Sequence, residues 1–265
     1  MFLRDIFDVK KPIIGVVHLL PLPGSPCDVP LRKVVEHAVK DARAYENGGI
    51  DGIILENFGD TPYRAGSVGP ETIASMTVVA VRVSESVDIP IGINVLRNDA
   101  KAALAIAHAI GGKFIRVNIH VGAYVTDQGI IEGAAYETLM LRKLLNVKVA
   151  IFADVHVKHA YPLWNLDIGY VAKDAVTRGL ADAVIITGKS TGEPPTLGDV
   201  LSVKEVLKGT PVFVGSGIDV ENVGVYLEVA DGLIVGTSLK IGGETRNPVD
   251  VEKVRMFVKE ANNYR

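Results

Sequence analysis

The chain is poor in cysteine, in tryptophan and in clustered charge. Cys27 is the lone cysteine among 265 residues. That excludes an internal disulfide and a cysteine-built zinc site, and it suits a reducing cytoplasm. The net charge is −3, with no run of Lys or Arg, so a dedicated nucleic-acid surface is not expected. No apolar run approaches the ~18 residues that a membrane span needs; peripheral contact with a membrane stays open. The stretch Ile13–Leu22 is interrupted by His18 and Pro21 and lacks a small-residue cleavage pattern, so it reads as an internal element and not as a signal peptide. There is no linker-like or low-complexity stretch, and a single domain is expected over residues 1–265.

What is present points to a large core. Hydrophobic residues make up 48% and charged residues 22%, and the length is close to that of one (β/α)8 domain. Eight short apolar runs alternate with helical stretches. Three of the even-numbered runs begin with an aspartate: Asp51 before Gly-Ile-Ile-Leu, Asp182 before Ala-Val-Ile-Ile and Asp231 before Gly-Leu-Ile-Val. The first, third and seventh begin at Pro12, Pro90 and Pro211, where a missing N–H costs a strand little. Runs this apolar fit strands buried on both faces, and eight alternating units predict an α/β fold, a (β/α)8 TIM barrel. The helical periodicity places Val34, Val35, Ala38, Ala42 and Tyr45 on one face of 31–45. A second helix is expected over 100–110, capped by Asn98 or Asp99, and a last one after Asp250. Four connections, 21–30, 57–70, 119–132 and 157–167, are longer than a barrel needs, and all four follow strands, on the rim where barrel active sites lie. Within 119–132 the pattern around Thr126-Asp127-Gln128 allows a small hairpin over the mouth.

The stretch Pro211–Leu239 carries the most specific signal. One buried strand runs into Gly215-Ser216-Gly217, and the next into Gly236-Thr237-Ser238, with Asp219 positioned to cap the helix between them. Small-residue turns of this kind expose backbone N–H groups that attract anions. On consecutive strands they match the phosphate site built after strands seven and eight of a barrel. The plainer alternative is two βα turns that need glycine for geometry alone. Gly188, Lys189 and Thr191 follow the sixth strand and form a third candidate anion contact. That segment lacks the order of a P-loop. Lys189, if desolvated, could form a Schiff base, but an exposed anion contact is the expectation. Lys158, His159 and Lys240 read as solvated rim charges.

Every strand ends in a polar residue or glycine: His18, Glu56, Asn94, Asn118, Asp154, Thr187, Gly215 and Gly236. Only Arg116 breaks the apolar strand interiors. A site for a polar ligand needs this asymmetry, whereas barrel stability does not. The expected catalytic set is Glu56, Asp154, His156, Asn94 and Asn118. Asp154 and His156 are two apart and would share a face of an extended chain, so the carboxylate could orient the imidazole as a base or acid. Glu56, three strands away, would be the opposite group. Alternatively, Asp154 or Glu56 simply pairs with Arg116, since a buried arginine demands a carboxylate. No cofactor is required by this set, but His18, Glu56, Asp154 and His156 could together hold a divalent metal such as zinc or manganese.

Several blocks together carry a family resemblance: Gly15-Val-Val-His-Leu-Leu-Pro-Leu-Pro-Gly-Ser-Pro26, Glu56-Asn-Phe-Gly-Asp60, Val68-Gly-Pro-Glu-Thr72, Gly92-Ile-Asn-Val-Leu-Arg-Asn-Asp-Ala100, Thr126-Asp-Gln-Gly129, Ala153-Asp-Val-His-Val-Lys-His-Ala160 and Val214-Gly-Ser-Gly217. In that order, over nearly the whole chain, they resemble the BtpA/SgcQ family. The resemblance implies a ribulose-phosphate-binding barrel, which agrees with the phosphate reading. It brings no catalytic residues with it. One branch of the family is named for photosystem I biogenesis and another lies in a sugar-uptake gene cluster. Two expectations follow. The first is an enzyme on a small phosphorylated metabolite, a sugar or nucleoside phosphate, working as an isomerase, epimerase or lyase. The second is a non-catalytic factor for the biogenesis or stability of a membrane complex. A homo-oligomer is compatible with either, and no helix face is marked for pairing.

Overall fold

A computed structural model describes residues 3–164 and 166–265. The strands are β1 (Ile13–His18), β2 (Gly52–Glu56), β3 (Ile91–Asn94), β4 (Phe114–Val117), β5 (Ala123–Thr126), β6 (Gly129–Glu132), β7 (Ala150–Val155), β8 (Ala160–Pro162), β9 (Ala183–Thr187), β10 (Val212–Gly215) and β11 (Gly232–Val235). Eight of them close in parallel in the order β1-β2-β3-β4-β7-β9-β10-β11, the last pairing back onto the first through Ile13↔Leu233 and Ile14↔Ile234. This is the (β/α)8 barrel that the alternation predicts. The surrounding helices are α2 (Leu31–Asn47), α3 (Pro70–Ser84), α4 (Ala100–Ile110), α5 (Ala135–Leu144), α6 (Ile168–Thr177), α7 (Leu197–Val206), α8 (Val223–Val229) and α9 (Val251–Ala261).

Alternation along the strands sorts the core into two layers. Ile14, Val16, Ile54, Phe114, Phe152, Ile185, Phe213 and Ile234 fill the barrel interior. The residues between them face the helices and meet Val34, Ala38, Ala42 and Tyr45 of α2 and Ala103, Leu104 and Ala107 of α4. Inside, Phe114 stacks on Phe152 with ring centroids 4.8 Å apart, and Phe152 meets Phe213 at 5.0 Å. An element the sequence pattern did not announce, α1 (Leu3–Phe7), brings Phe7 to within 5.5 Å of Phe114 and joins Ile6 and Phe7 to this interior layer.

The three strand-initial aspartates share one task. Asp51, Asp182 and Asp231 accept the N–H groups of Ile13, Ile151 and Val212, each at 2.8 Å. Each carboxylate reaches sideways to the start of a neighbouring strand, where a backbone donor would otherwise be orphaned. Asp99 caps α4 and Asp250 caps α9, as expected. Asp219 differs: it caps a turn through the N–H groups of Glu221 and Asn222, and α8 begins only at Val223. The expected hairpin is β5–β6, and β8 adds a third antiparallel strand to it through Val125↔Tyr161. That small sheet roofs part of the mouth, with Ile119, Tyr124, Ile131 and Val157 packed beneath it.

The long loops are tied to one another by buried polar side chains. Asp60 accepts from the N–H of Leu22 at 2.7 Å and from the Asn57 amide at 3.0 Å. Asn57 accepts the N–H of Leu96 at 2.7 Å, and Asn98 accepts that of Ile119 at 2.7 Å. The rim is therefore built as a unit.

Candidate active site

The mouth holds a narrow pocket of about 160 Å3 lined by His18, Glu56, Arg116, Lys158, Thr191 and the two glycine turns. It opens into a wider cleft of about 910 Å3 under the small sheet, reached by Asn118, Arg97, Tyr63, Lys189 and Tyr161. Glu56, Lys158 and Thr191 line both spaces.

The two candidate carboxylates are not equivalent. Asp154 is saturated. Arg116 approaches it with Nε at 3.1 and 3.2 Å and Nη2 at 3.1 Å, and Asn118 donates to it at 2.7 Å. Asn94 completes the layer, donating to Asn118 at 3.2 Å and to the Arg116 carbonyl at 3.1 Å. Asp154 and Asn94 line neither space; they hold Arg116 and Asn118, which do. Arg116 is driven down by burial, but Asp154 and Glu56 more than compensate and raise its pKa above the ordinary value. Glu56 has only looser approaches, 3.8 Å from Arg116 Nη1 and 3.9 Å from His18 Nε2. Its oxygens accept no hydrogen bond among the described residues and face the pocket.

His18 stands on its edge against Phe58, ring centroids 4.9 Å apart. Burial, followed by Lys240, Lys158 and Arg116, holds its pKa well below the ordinary value. The imidazole is thus neutral at pH 7, and its approach to Glu56 is not an ion pair.

His156 does not join Asp154. β7 ends at Val155, and His156 takes φ 50, which breaks the two-residue alternation. Its imidazole lines neither space, and the carboxylates acting on it are Asp199 and Asp167, at the starts of α7 and α6 outside the barrel. The shared-face expectation is therefore corrected, and with it the four-residue metal set: Arg116 separates Glu56 from Asp154, and His156 lies elsewhere. Among the described residues no cluster of three His, Cys, Asp or Glu has metal-binding geometry.

Of the anion-site residues, Ser216, Gly217, Gly236, Thr237, Ser238 and Thr191 share the narrow pocket. Ser216 and Gly217 both have positive φ, 78 and 67. This turns successive backbone N–H groups toward one side. Among the described residues no acceptor takes up the N–H groups of Ser216, Gly217, Thr237 or Ser238. The hydroxyl of Ser238 donates to the Ile218 carbonyl at 2.6 Å and locks the two turns together. Gly215 lies in β10 behind the turn. Gly188 has a packing role: a Cβ there would meet the Glu193 carbonyl at 2.2 Å. Gly217 carries the same constraint, with Pro194 N at 2.1 Å from a Cβ, so the plainer reading of glycine as geometry holds in part. Lys189 is exposed beside the wider cleft.

Two rim charges are not simply solvated: Lys240 is buried and Lys158 is half-buried. Lys240 is fully buried, 2.6 Å from Asp41 of α2, which also accepts the N–H of Val249. It fastens the loop after β11 to the outside of the barrel. Lys158 points the other way, into the mouth. Burial, then Arg116, lowers its pKa to about 8 against the pull of Glu56 and Asp154. Its backbone is fixed from both sides: its N–H donates to Thr187 Oγ1 at 3.0 Å, and its carbonyl accepts from Arg97 at 2.8 Å. The sequence reading missed Lys158 and Arg97 because their residue types are ordinary on a loop. The signal that could have found Lys158 is its position four residues past a strand-terminal Asp.

Comparison with known proteins agrees with this fold. The model of the BtpA family matches residues 9–263. A Synechocystis protein named photosystem I biogenesis protein BtpA is 47% identical over 98% of this chain and 91% of its own length. An uncharacterised Pyrococcus furiosus protein is 47% identical over 98% of both chains. Among solved structures, one titled native KDPGal structure superposes with a TM-score of 0.60 at 15% identity, covering 98% of each chain. Orotidine 5'-phosphate decarboxylase from Pyrococcus horikoshii superposes at 0.59 and 17%, covering 94% of this chain and 99% of that one. At such identities these structures speak to the barrel alone. The family match and the 47% identities over nearly full length place the chain in the BtpA family.

Proposed function

We propose that the chain is an enzyme that acts on a small phosphorylated metabolite, a sugar or nucleoside phosphate, by proton transfer next to a carbonyl, as an isomerase, epimerase or lyase does. One observation carries this reading: a single pocket has unclaimed N–H groups of Ser216, Gly217, Thr237 and Ser238 on one wall and the unsaturated carboxylate of Glu56 on another. The N–H wall suits a phosphate. Glu56 is the general base, and Arg116 and Asn118 are the cation and amide available to a developing oxyanion. Asp154 and Asn94 hold those two side chains in place. The solved neighbours whose titles name phosphoribosyl or phosphate substrates support the reading by fold analogy.

A thermal-shift panel of orthophosphate, pentose phosphates, nucleoside monophosphates and the matching unphosphorylated sugars tests it. A ligand at ~100 times its dissociation constant adds about 2.7 kcal/mol, which is roughly 5–10 °C for a domain of this size. The expected result is a shift with the phosphorylated compounds that Ser216→Asp removes. Aspartate tolerates positive φ and places a negative charge where the phosphate sits. No shift with any compound, on folded protein, sinks the proposal.

A second reading follows from the name of the Synechocystis relative: a factor that holds a membrane complex by its outer surface. The observation favouring it is a group of exposed apolar side chains around the small rim sheet, among them Tyr161, Leu163 and Trp164, with Tyr161 and Trp164 about three-quarters exposed at 74% and 76%. Among the described residues no helix is long and apolar enough to cross a membrane. A Trp164→Ser variant that loses co-sedimentation with membranes while keeping the phosphate shift would favour this reading. Unchanged sedimentation would remove it.

A further inference from the structure

The mouth contains a nucleophile that proton transfer from Glu56 leaves unused. Lys158 lies where the narrow pocket meets the wider cleft and lines both. Among the described residues its amine makes no hydrogen bond and no close ion pair. The carboxylates that might have claimed it are oriented elsewhere: Asp154 is bound by Arg116 and Asn118, and Glu56 lies nearer Arg116 and His18. A lysine kept for ionic contact is normally kept charged by a carboxylate partner. This one has, among the described residues, no carboxylate at ion-pair distance, and burial with Arg116 disfavours the ammonium more than the pull of Glu56 and Asp154 favours it. Its backbone is held on several sides. Thr187 and Arg97 hold its backbone, His159 beside it donates its N–H to the Lys189 carbonyl at 3.1 Å, and Val157 before it is packed beneath the small sheet.

Resting on the phosphate reading above, we infer that Lys158 is a covalent catalyst that forms an imine with the carbonyl carbon of a phosphorylated aldehyde or ketone. The amine nitrogen adds to the carbonyl carbon. The oxygen gains two protons and leaves as water, and the nitrogen keeps a double bond to carbon. Once protonated, that imine draws electrons. Glu56 removes a proton from the adjacent carbon, and the electron pair moves toward nitrogen, giving an enamine. Return of a proton and hydrolysis release the product and regenerate the amine. No oxidant or reductant is needed. The lowered pKa of Lys158 suits this role: with a value of about 8, roughly a tenth of the amine is free base at pH 7, against less than about a thousandth for an ordinary lysine. Lys189, which the sequence offers for the same chemistry, is exposed and lacks this environment.

The test uses the full chain and pyridoxal 5'-phosphate as probe, an aldehyde that carries a phosphate, with borohydride reduction and peptide mapping by mass spectrometry. The expected result is modification concentrated at Lys158. Pyridoxal without its phosphate should modify it less by about tenfold or more, because the phosphate site holds the aldehyde beside the amine. Orthophosphate should protect it. Labelling of Lys158 no stronger than that of exposed lysines such as Lys189 overturns the inference. If orthophosphate still raises the melting temperature in that case, the phosphate reading survives alone. Selective labelling of Lys158 by pyridoxal and its phosphate alike, with no phosphate-induced shift, leaves the imine chemistry standing and removes the phosphate pocket.

Discussion

At the foot of the barrel, Asp51, Asp182 and Asp231 each accept a strand N–H and each meet a cation: Arg265, Arg142 and Lys204. At the mouth, among the described residues, Glu56 accepts nothing, Lys158 donates nothing from its amine, and four backbone N–H groups are unclaimed. Both ends draw on the same residue types. The foot uses up its polar groups and is sealed by Phe7 and the phenylalanine stack. The mouth has one saturated pair, Arg116 with Asp154, and around it a set of groups whose partners must come from outside the chain. Buried polar groups are normally satisfied, so a cluster that is not, at one end only, marks where a ligand belongs.

Breaking each side of this contrast has a graded cost. Glu56→Gln should reduce turnover of the substrate found in the phosphate panel by about 10^2–10^4-fold, the usual worth of a positioned base. Its melting temperature should stay close to wild type, because the side chain makes no hydrogen bond to lose. Steady-state kinetics and a melting curve read the two effects, and turnover near wild type would remove Glu56 as the base. Arg116→Met should cost stability as well as turnover, because Arg116 is both the partner of Asp154 and the cation that lines the pocket. It strands Asp154 as a buried carboxylate, which costs about 3–5 kcal/mol and lowers the midpoint by on the order of 10 °C. A loss under ~1 kcal/mol in chemical denaturation would mean that the pair is not structural.

At the foot, Asp231→Ala removes the acceptor of the Val212 N–H and should cost about 1–2 kcal/mol with kcat unchanged. A fall in kcat without loss of stability would show that the ends are coupled. The smallest effect concerns Lys158. Burial and two arginines favour its neutral form, so between about pH 8 and its ordinary 10.5 the folded chain binds fewer protons than the unfolded one. Stability therefore rises with pH across that window and is lost again as pH falls through 8. Lys158→Met should accordingly stabilise the chain by on the order of 1 kcal/mol at pH 7, less than burial alone suggests because water reaches the pocket. The gain should fade by pH 10. Melting curves across that range check it, and a gain that does not fade would assign it to packing.

The barrel was legible in the chain because its strands are short, apolar and regularly punctuated by Asp or Pro. The caps of α4 and α9 were legible because N-capping depends on residues a few positions apart. α1 escaped notice because five residues give no usable period, and β8 because three residues become a strand only when β5 is there to pair with. The site was legible as a region. Polar strand ends and two glycine turns marked the mouth, and six of the nine expected anion contacts share one pocket. The distinction between Asp154 and Glu56 was not legible, since both end a strand of the same kind and only the direction of Arg116 separates them. His156 was misplaced because the two-residue rule stops where the strand stops, at Val155.

By itself the sequence determined the alternation, the closed eightfold topology and the end of the barrel that carries polarity. These follow from periodicity and turn chemistry, which act over a few residues. Only the tertiary structure decided which charges are spent. Lys240 and Lys158 read alike on the chain, yet one is neutralised by Asp41, 199 positions away along the chain, and the other is left in the mouth, where burial and Arg116 outweigh the pull of Glu56 and Asp154. The energy of a buried charge depends on its neighbours through space, and those neighbours are assembled from strands far apart in sequence.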